Sequence, residues 1–219
     1  MKRKIKKVAV LGAGVMGTGI AAHLANVGIP CLMLDIVPPF LSDEEKKIPA
    51  KRNMFAASGL KAALKAKPAL FFTKSGGSMI SIGNFEDDLH RVSECDWIIE
   101  VVKEDLAIKQ GLFKEIVKHR TEGTIVTSNT SGLSIESMTE GMTEEFCNHF
   151  MVTHFFNPVR YMKLLELVVG PKSDPEVVEG LAEFGEMVLG KGIVYGKDTP
   201  NFVANRIGIH AVMSGLSVM

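Results

Sequence analysis

Two ionisable side chains stand where the sequence is otherwise apolar. His154 falls in Met151-Val152-Thr153-His154-Phe155-Phe156, and Glu166 falls in Leu164-Leu165-Glu166-Leu167-Val168. A carboxylate inside an apolar run is costly unless something partners it. A histidine beside two phenylalanines is partly desolvated. Pairing the two relieves both problems. It also yields an imidazole whose tautomer and basicity are set by a carboxylate, which is a general base with its orienting group. The competing reading is a satisfied core histidine. Asn129 and Ser131, in Ser128-Asn129-Thr130-Ser131-Gly132, read either as turn and cap residues or as polar groups facing a ligand. Asn205 has apolar surroundings, which point it at a partner or ligand. Glu104 and Lys109 carry the plainer reading of a helix-start carboxylate and a solvated lysine.

A second feature binds anions rather than moving protons. Gly12-Ala13-Gly14-Val15-Met16-Gly17 is G-x-G-x-x-G between an apolar run and a helical pattern. The first glycine permits a tight turn, the second lets a pyrophosphate approach the backbone, and the third lets helix and strand pack closely. The N–H groups and dipole at the helix start favour the anion. Asp35 follows eighteen residues after Gly17, where a carboxylate accepts from ribose hydroxyls and repels a 2′-phosphate. The pattern therefore predicts NAD(H) in preference to NADP(H).

These residues need a scaffold that brings strand ends together. Strands are expected over Lys4–Leu11, Pro30–Ile36, Trp97–Val102, Thr124–Ser128 and Met151–Phe156, each nearly continuous in apolar residues. Strands buried on both faces read this way. Helices are expected over Met16–Val27, stopped by Gly28, then over Leu106–His119 and Pro175–Leu189. In the second, Ile108, Leu112, Phe113 and Ile116 are expected to face inward. The alternation predicts an α/β fold of the Rossmann type, a doubly wound and mostly parallel sheet. Residues 38–91 are read as a helical excursion attached to the sheet rather than part of it, with a basic stretch Lys51–Lys67. A last helix is expected from Thr199 as N-cap and Pro200 as its first residue, running apolar on more than one side to Met219. The domain reading is a nucleotide-binding domain over 1–197 and the first helix of a truncated helical domain over 198–219.

Composition narrows the class. Of the 219 residues, 46% are hydrophobic and 23% charged, and 25 basic residues balance 25 acidic ones. No basic excess supports a nucleic-acid or membrane-surface partner. Three scattered cysteines, Cys31, Cys95 and Cys147, give neither a disulfide framework nor a zinc site and are read as reduced thiols of a cytoplasmic protein. The basic start Met1–Lys7 is not followed by a signal-peptide core, because glycines break the apolar stretch after it.

Taken together, Val10-Leu11-Gly12-Ala13-Gly14-Val15-Met16-Gly17, Ser128-Asn129-Thr130-Ser131, His154-Phe155-Phe156-Asn157-Pro158 and Lys197-Asp198-Thr199-Pro200 with Asn205-Arg206 resemble the NAD-dependent L-3-hydroxyacyl-CoA dehydrogenases of fatty-acid β-oxidation. The resemblance covers nearly the whole chain. The bacterial and archaeal variant, often fused to an enoyl-CoA hydratase, is the nearest in pattern. It is suggested by the long excursion after Asp35 and by Asp96-Trp97-Ile98-Ile99-Glu100-Val101-Val102. The resemblance implies His154 as base and Glu166 as its partner, with Ser131 and Asn205 holding the reacting oxygen. It implies Gly12, Ala13, Gly14, Val15, Met16, Gly17, Asp35, Glu104 and Lys109 as contacts of NAD, with Asn129 near the nicotinamide. It also implies an acyl-CoA substrate and a second, helical domain that completes the acyl site and usually makes a homodimer. Lys103 departs from the family's usual apolar residue. Two alternatives stand beside this reading. A β-hydroxyacid dehydrogenase would need a lysine base after a glycine-rich turn, for which there is no match. An isolated NAD-binding module would bind the cofactor without turnover.

Overall fold

A computed structural model describes residues 4–217 of the chain. The first three residues of the basic start, and Val218 and Met219 at the end of the expected last helix, lie outside them.

Val8-Ala9-Val10-Leu11 forms β1 (Val8–Leu11), every residue of which is buried. It alternates its side chains between two cores, as a central strand must. Val8 and Val10 pack with Ile20 and Leu24 of α1 (Val15–Asn26), while Ala9 and Leu11 join the opposite cluster. Gly28, at φ +80°, ends α1 in the left-handed conformation that glycine adopts without strain. The chain returns as β2 (Cys31–Asp35), parallel to β1.

The excursion departs from expectation. It holds α2 (Pro49–Arg52) and α3 (Met54–Lys65), but also β3 (Ile80–Asn84), which pairs in parallel with β2 and extends the sheet. The short run Ile80-Ser81-Ile82-Gly83-Asn84 was hidden because only two of its five residues are large and apolar. After α4 (Phe85–Asp88) the chain crosses to the other side of β1 as β4 (Trp97–Glu100). That crossing is the topological switch point, where ligands of such sheets bind.

Then follow α5 (Leu106–His119), β5 (Ile125–Ser128), α6 (Ile135–Met138), α7 (Glu144–Asn148), β6 (Phe150–Phe155), β7 (Leu164–Val169), α8 (Pro175–Met187) and β8 (Gly192–Lys197). The sheet has eight strands in the order β3-β2-β1-β4-β5-β6-β7-β8. Among the described residues only the β6–β7 pair is antiparallel. Helices α1, α3 and α8 cover one face, and α5, α6 and α7 cover the other.

The last helix, α9 (Ala204–Ser217), starts four residues later than expected. Asn201 at φ +63° and Phe202 at φ +45° interrupt it in the left-handed region, which a bulky side chain rarely enters. Thr199 therefore does not cap α9. Beyond its first turn the helix is exposed, with Ile207, Ile209, Val212, Met213 and Leu216 all facing solvent. Among the described residues no helix is long and apolar enough to cross a membrane, and no His, Cys, Asp or Glu cluster could hold a metal ion.

Candidate active site

The antiparallel register of β6 and β7 sets His154 directly opposite Glu166. Side chains of directly opposed residues lie side by side on one face of the sheet. The result is a bond of 2.7 Å between His154 Nδ1 and Glu166 Oε2, with both residues buried. A carboxylate only accepts, so Nδ1 carries the hydrogen and Nε2 keeps its lone pair. The Ser131 hydroxyl, on the loop after β5, lies 3.2 Å from Nε2. The rings of Phe156 and Phe202, 4.4 and 5.7 Å away centre to centre, shield the imidazole. Glu166 has a second set of partners. Its Oε1 accepts from the backbone N–H of Val203 at 3.1 Å and of Ala204 at 2.6 Å, where α9 begins.

The glycine turn lies across the switch point. Gly12 has φ +116°, and a Cβ there would stand 2.5 Å from the Val101 carbonyl oxygen. A Cβ on Gly17 would collide with the Gly12 carbonyl, whereas one on Gly14 would meet nothing within 4 Å. Gly14 thus leaves its backbone open to a ligand. Val15 projects into solvent beside it, and Met16 packs against the core. Asp35 Oδ2 accepts from the Ala13 N–H at 2.7 Å, tying the end of β2 to the turn. A cavity of about 890 Å³ opens here, lined by Gly12, Gly14, Asp35, Val101 and Ile108 among others. Ile108 is therefore half exposed on the cavity wall instead of facing the core. Lys103 is exposed and also borders the cavity.

A chain of polar contacts runs from the end of β4 to the His154 site. Lys109 is 1% exposed, contrary to its reading as a solvated lysine. Its Nζ is 2.7 Å from Glu100 Oε1 and 3.2 Å from Glu104 Oε2. Glu104 Oε1 in turn accepts from the Thr130 hydroxyl and, at 3.2 Å, from the Ser131 N–H. Asn129 Oδ1 accepts from the Phe155 N–H at 2.9 Å and so holds the end of β6. Asn205 is the exception among the expected residues. It stands half-buried in the first turn of α9, in a shallow groove with Asn201 and Gly208, and makes no hydrogen bond to Ser131 or His154. Glu100, Thr130 and Phe202 were not singled out from sequence. A carboxylate ending the apolar run Trp97-Ile98-Ile99 was a usable signal for the first; nothing local marked the other two.

Residues 7–199 match the family described as 3-hydroxyacyl-CoA dehydrogenase, NAD binding domain. The chain belongs to this family. A Bacillus subtilis protein described as "probable 3-hydroxyacyl-CoA dehydrogenase" is 51% identical over 97% of the chain, which covers 28% of that protein. A Deinococcus radiodurans protein of the same description is 45% identical over 99% of the chain and 60% of its own length. The crystal structure of a 3-hydroxybutyryl-CoA dehydrogenase from Escherichia coli superposes with a TM-score of 0.75 at 30% identity, over 94% of this chain and 41% of that one. The chain thus spans 28% and 60% of the lengths of these two curated relatives. The family's cofactor is NAD, and the open Gly14 backbone, the Asp35 carboxylate and the cavity between them fit a dinucleotide.

Proposed function

We propose that this NAD-binding domain carries the proton-moving half of a dehydrogenase that interconverts an L-3-hydroxyacyl-CoA and a 3-ketoacyl-CoA in fatty-acid β-oxidation. The observation that carries the reading is the relay Ser131 Oγ, His154 Nε2, His154 Nδ1, Glu166 Oε2, with steps of 3.2 and 2.7 Å on either side of the ring. Gly12, Ala13, Gly14, Val15, Met16, Gly17 and Asp35 would hold NAD, which supplies the hydride acceptor when bound. Asn129 and Glu104, which bond the backbone of Phe155 and Ser131, would face the nicotinamide end of the cofactor, and Lys109 would act there through its ion pair with Glu104. His154 Nε2 takes the hydroxyl proton of the alcohol in one direction and returns it to the ketone in the other. Glu166 keeps the hydrogen on Nδ1 and stabilises the imidazolium that forms. The Ser131 hydroxyl and the Asn205 amide hold the substrate oxygen as charge develops on it. Asn205 has to be brought to that oxygen with α9.

The exposed apolar side of α9 favours a second reading for the 219-residue chain taken alone, in which NAD binds but turnover is absent. In that reading the acyl site and the homodimer contacts belong to the remainder of a longer protein.

The test has two arms. NADH fluorescence titration of the 219-residue chain should show saturable binding, and absence of binding would sink the cofactor assignment. Loss of NADH absorbance with acetoacetyl-CoA should appear in a polypeptide extended to the length of the relatives. His154→Ala should abolish that turnover and leave NADH binding intact. Turnover that survives the substitution would overturn the role given to His154, and binding without turnover by the short chain supports the second reading.

A further inference from the structure

Asp35 is one carboxylate at the corner where an adenosine ribose would lie, and a second stands nearby. Both oxygens of Asp35 already accept from backbone, Oδ2 from the Ala13 N–H and Oδ1 from the Ile36 N–H, each at 2.7 Å. The strand beside β2 is β3, and its register sets Asn84 opposite Asp35. Asn84 is buried, and its Oδ1 accepts from the N–H groups of Glu86 and Asp87 at 3.0 and 2.9 Å, which fixes the start of α4. Glu86 thereby borders the same cavity as Asp35 and Ile36. The other neighbour of β2 is β1, which ends in the glycine turn. With the diphosphate on that turn, the outer side of a ribose held by Asp35 faces β3 and α4.

The fold also brings an arginine to this corner. Arg52, the last residue of α2, donates from Nε to Asp87 Oδ2 at 2.6 Å and from Nη2 to Asp87 Oδ1 at 2.8 Å. Asp87 is held by Asn84 Nδ2 as well, at 2.8 Å, and the guanidinium beside it keeps its carboxyl below the usual carboxylate range. This two-point pair already balances the charge of Arg52. Glu86 is a surplus carboxylate, and its Oε2 takes the remaining Nη2 hydrogen at 2.8 Å. A 2′-phosphate would therefore meet the negative charges of Asp35 and Glu86 and a guanidinium nitrogen with both hydrogens taken.

We propose that Glu86 is a second determinant of the choice between NAD(H) and NADP(H), and that it acts by occupying Arg52, so that the two form a 2′-phosphate site closed by a carboxylate. The inference rests on the placement of NAD given above, in which Asp35 takes the ribose. Removing Glu86 takes away one repelling charge and frees an Nη2 hydrogen, while Asp87 keeps the guanidinium in place. Arginine and phosphate then meet through a charge-assisted bond.

The experiment is fluorescence titration of the 219-residue chain with NADH and with NADPH, read as the ratio of the two affinities, so that NADH serves as the internal reference. The parent should prefer NADH. Glu86→Ser should shift the ratio toward NADPH by about tenfold, the scale of one hydrogen bond to a charged group. The shift should shrink as salt is added. Arg52→Met in the Glu86→Ser background should remove it. Glu86→Gln, which keeps the side chain's shape and loses only its charge, serves if the serine weakens α4 and should move the ratio in the same direction. A ratio unchanged by both Glu86 variants would overturn the proposal, as would a shift that survives Arg52→Met. A parent that takes NADPH as readily as NADH would overturn it too. Failure of the parent to bind NADH at all would sink the cofactor placement and this inference with it, and so is told apart from failure of the inference alone, in which NADH still binds.

Discussion

Lys109 is a cation in the wrong place for a surface helix, and its partners explain it. It lies between Glu100, which is fully buried, and Glu104, which is half exposed and reaches on to Thr130 and Ser131. Removing one member of a buried pair leaves the other charge uncompensated, which costs roughly 3–5 kcal/mol. Lys109→Met should therefore lower the stability of the chain by about that amount in urea denaturation, although the Ser128 hydroxyl and the Val102 N–H still reach Glu100. A loss below about 1 kcal/mol, the scale of an exposed pair, would contradict the assignment. The residue was misread from sequence for an instructive reason. Lys109, Phe113 and Ile116 share one helical stripe by spacing, while Ile108 lies beside it. Residue type favoured Ile108 for the inside, spacing favoured Lys109, and spacing was right. Glu166 was legible because its apolar neighbours demand a partner and His154 was available twelve positions away. The same demand holds at Glu100, where the answering cation comes from the following helix and not from a neighbouring strand.

At the scale of elements, the five strands β1, β2, β4, β5 and β6 were legible as nearly continuous apolar runs, whereas β3 and the largely exposed β8 were not named as strands, and β7 was read only as an apolar run around Glu166. The start of α9 was lost for a different reason. Its cap comes from β7, and no local pattern can report a tertiary acceptor. The excursion shows what else the elements do for the site. Gly59 lies within α3, where glycine is unfavourable by about 1 kcal/mol unless packing requires it. Packing does require it: a Cβ at Gly59 would stand 2.5 Å from the Ala13 carbonyl oxygen and 2.8 Å from Thr18 Cγ2. Thr18 in turn bonds the Gly14 carbonyl through its hydroxyl at 2.8 Å. Helix α3 thus braces the glycine turn from outside. Because the first obstacle is backbone, Gly59→Ala must shift one element against the other, at roughly 1–3 kcal/mol of overpacking. The shift falls on the turn that holds the cofactor phosphates in our reading. NADH titration should show weaker binding by about tenfold, equivalent to 1.4 kcal/mol. An unchanged affinity would mean that α3 packs on the turn without supporting it.

Across the whole molecule, the first half of the sheet and its antiparallel edge are joined at one buried polar seam. His23 on α1 contacts the Leu189 carbonyl through Nε2 at 3.0 Å. Two residues on, buried Lys191 donates to the carbonyls of Val159 and Met162, on the loop that follows the His154 strand. Burial, with Lys191 and then Arg160 adding repulsion against the opposing pull of the Leu189 bond, pushes the His23 imidazole down from 6.5 to about 4. Its Nδ1 is buried and finds no partner among the described residues, so a second ring proton would have no acceptor. The sign of the pH effect follows. Between about pH 6.5 and pH 4 the unfolded chain binds a proton at this histidine that the folded chain refuses, so stability falls as the pH drops through that window. The full difference amounts to roughly 3 kcal/mol. Lys191, pushed down to about 8 by burial, is charged in both states throughout this window and adds no slope there. His23→Gln keeps a donor for the Leu189 carbonyl but does not titrate. Carboxylates elsewhere act on both proteins alike, so the difference between them isolates the histidine. Urea denaturation near pH 7 and again near pH 4.5 should therefore show a smaller acid loss in the variant than in the parent. Equal losses would mean that the seam between the two halves of the sheet is not held by a neutral His23.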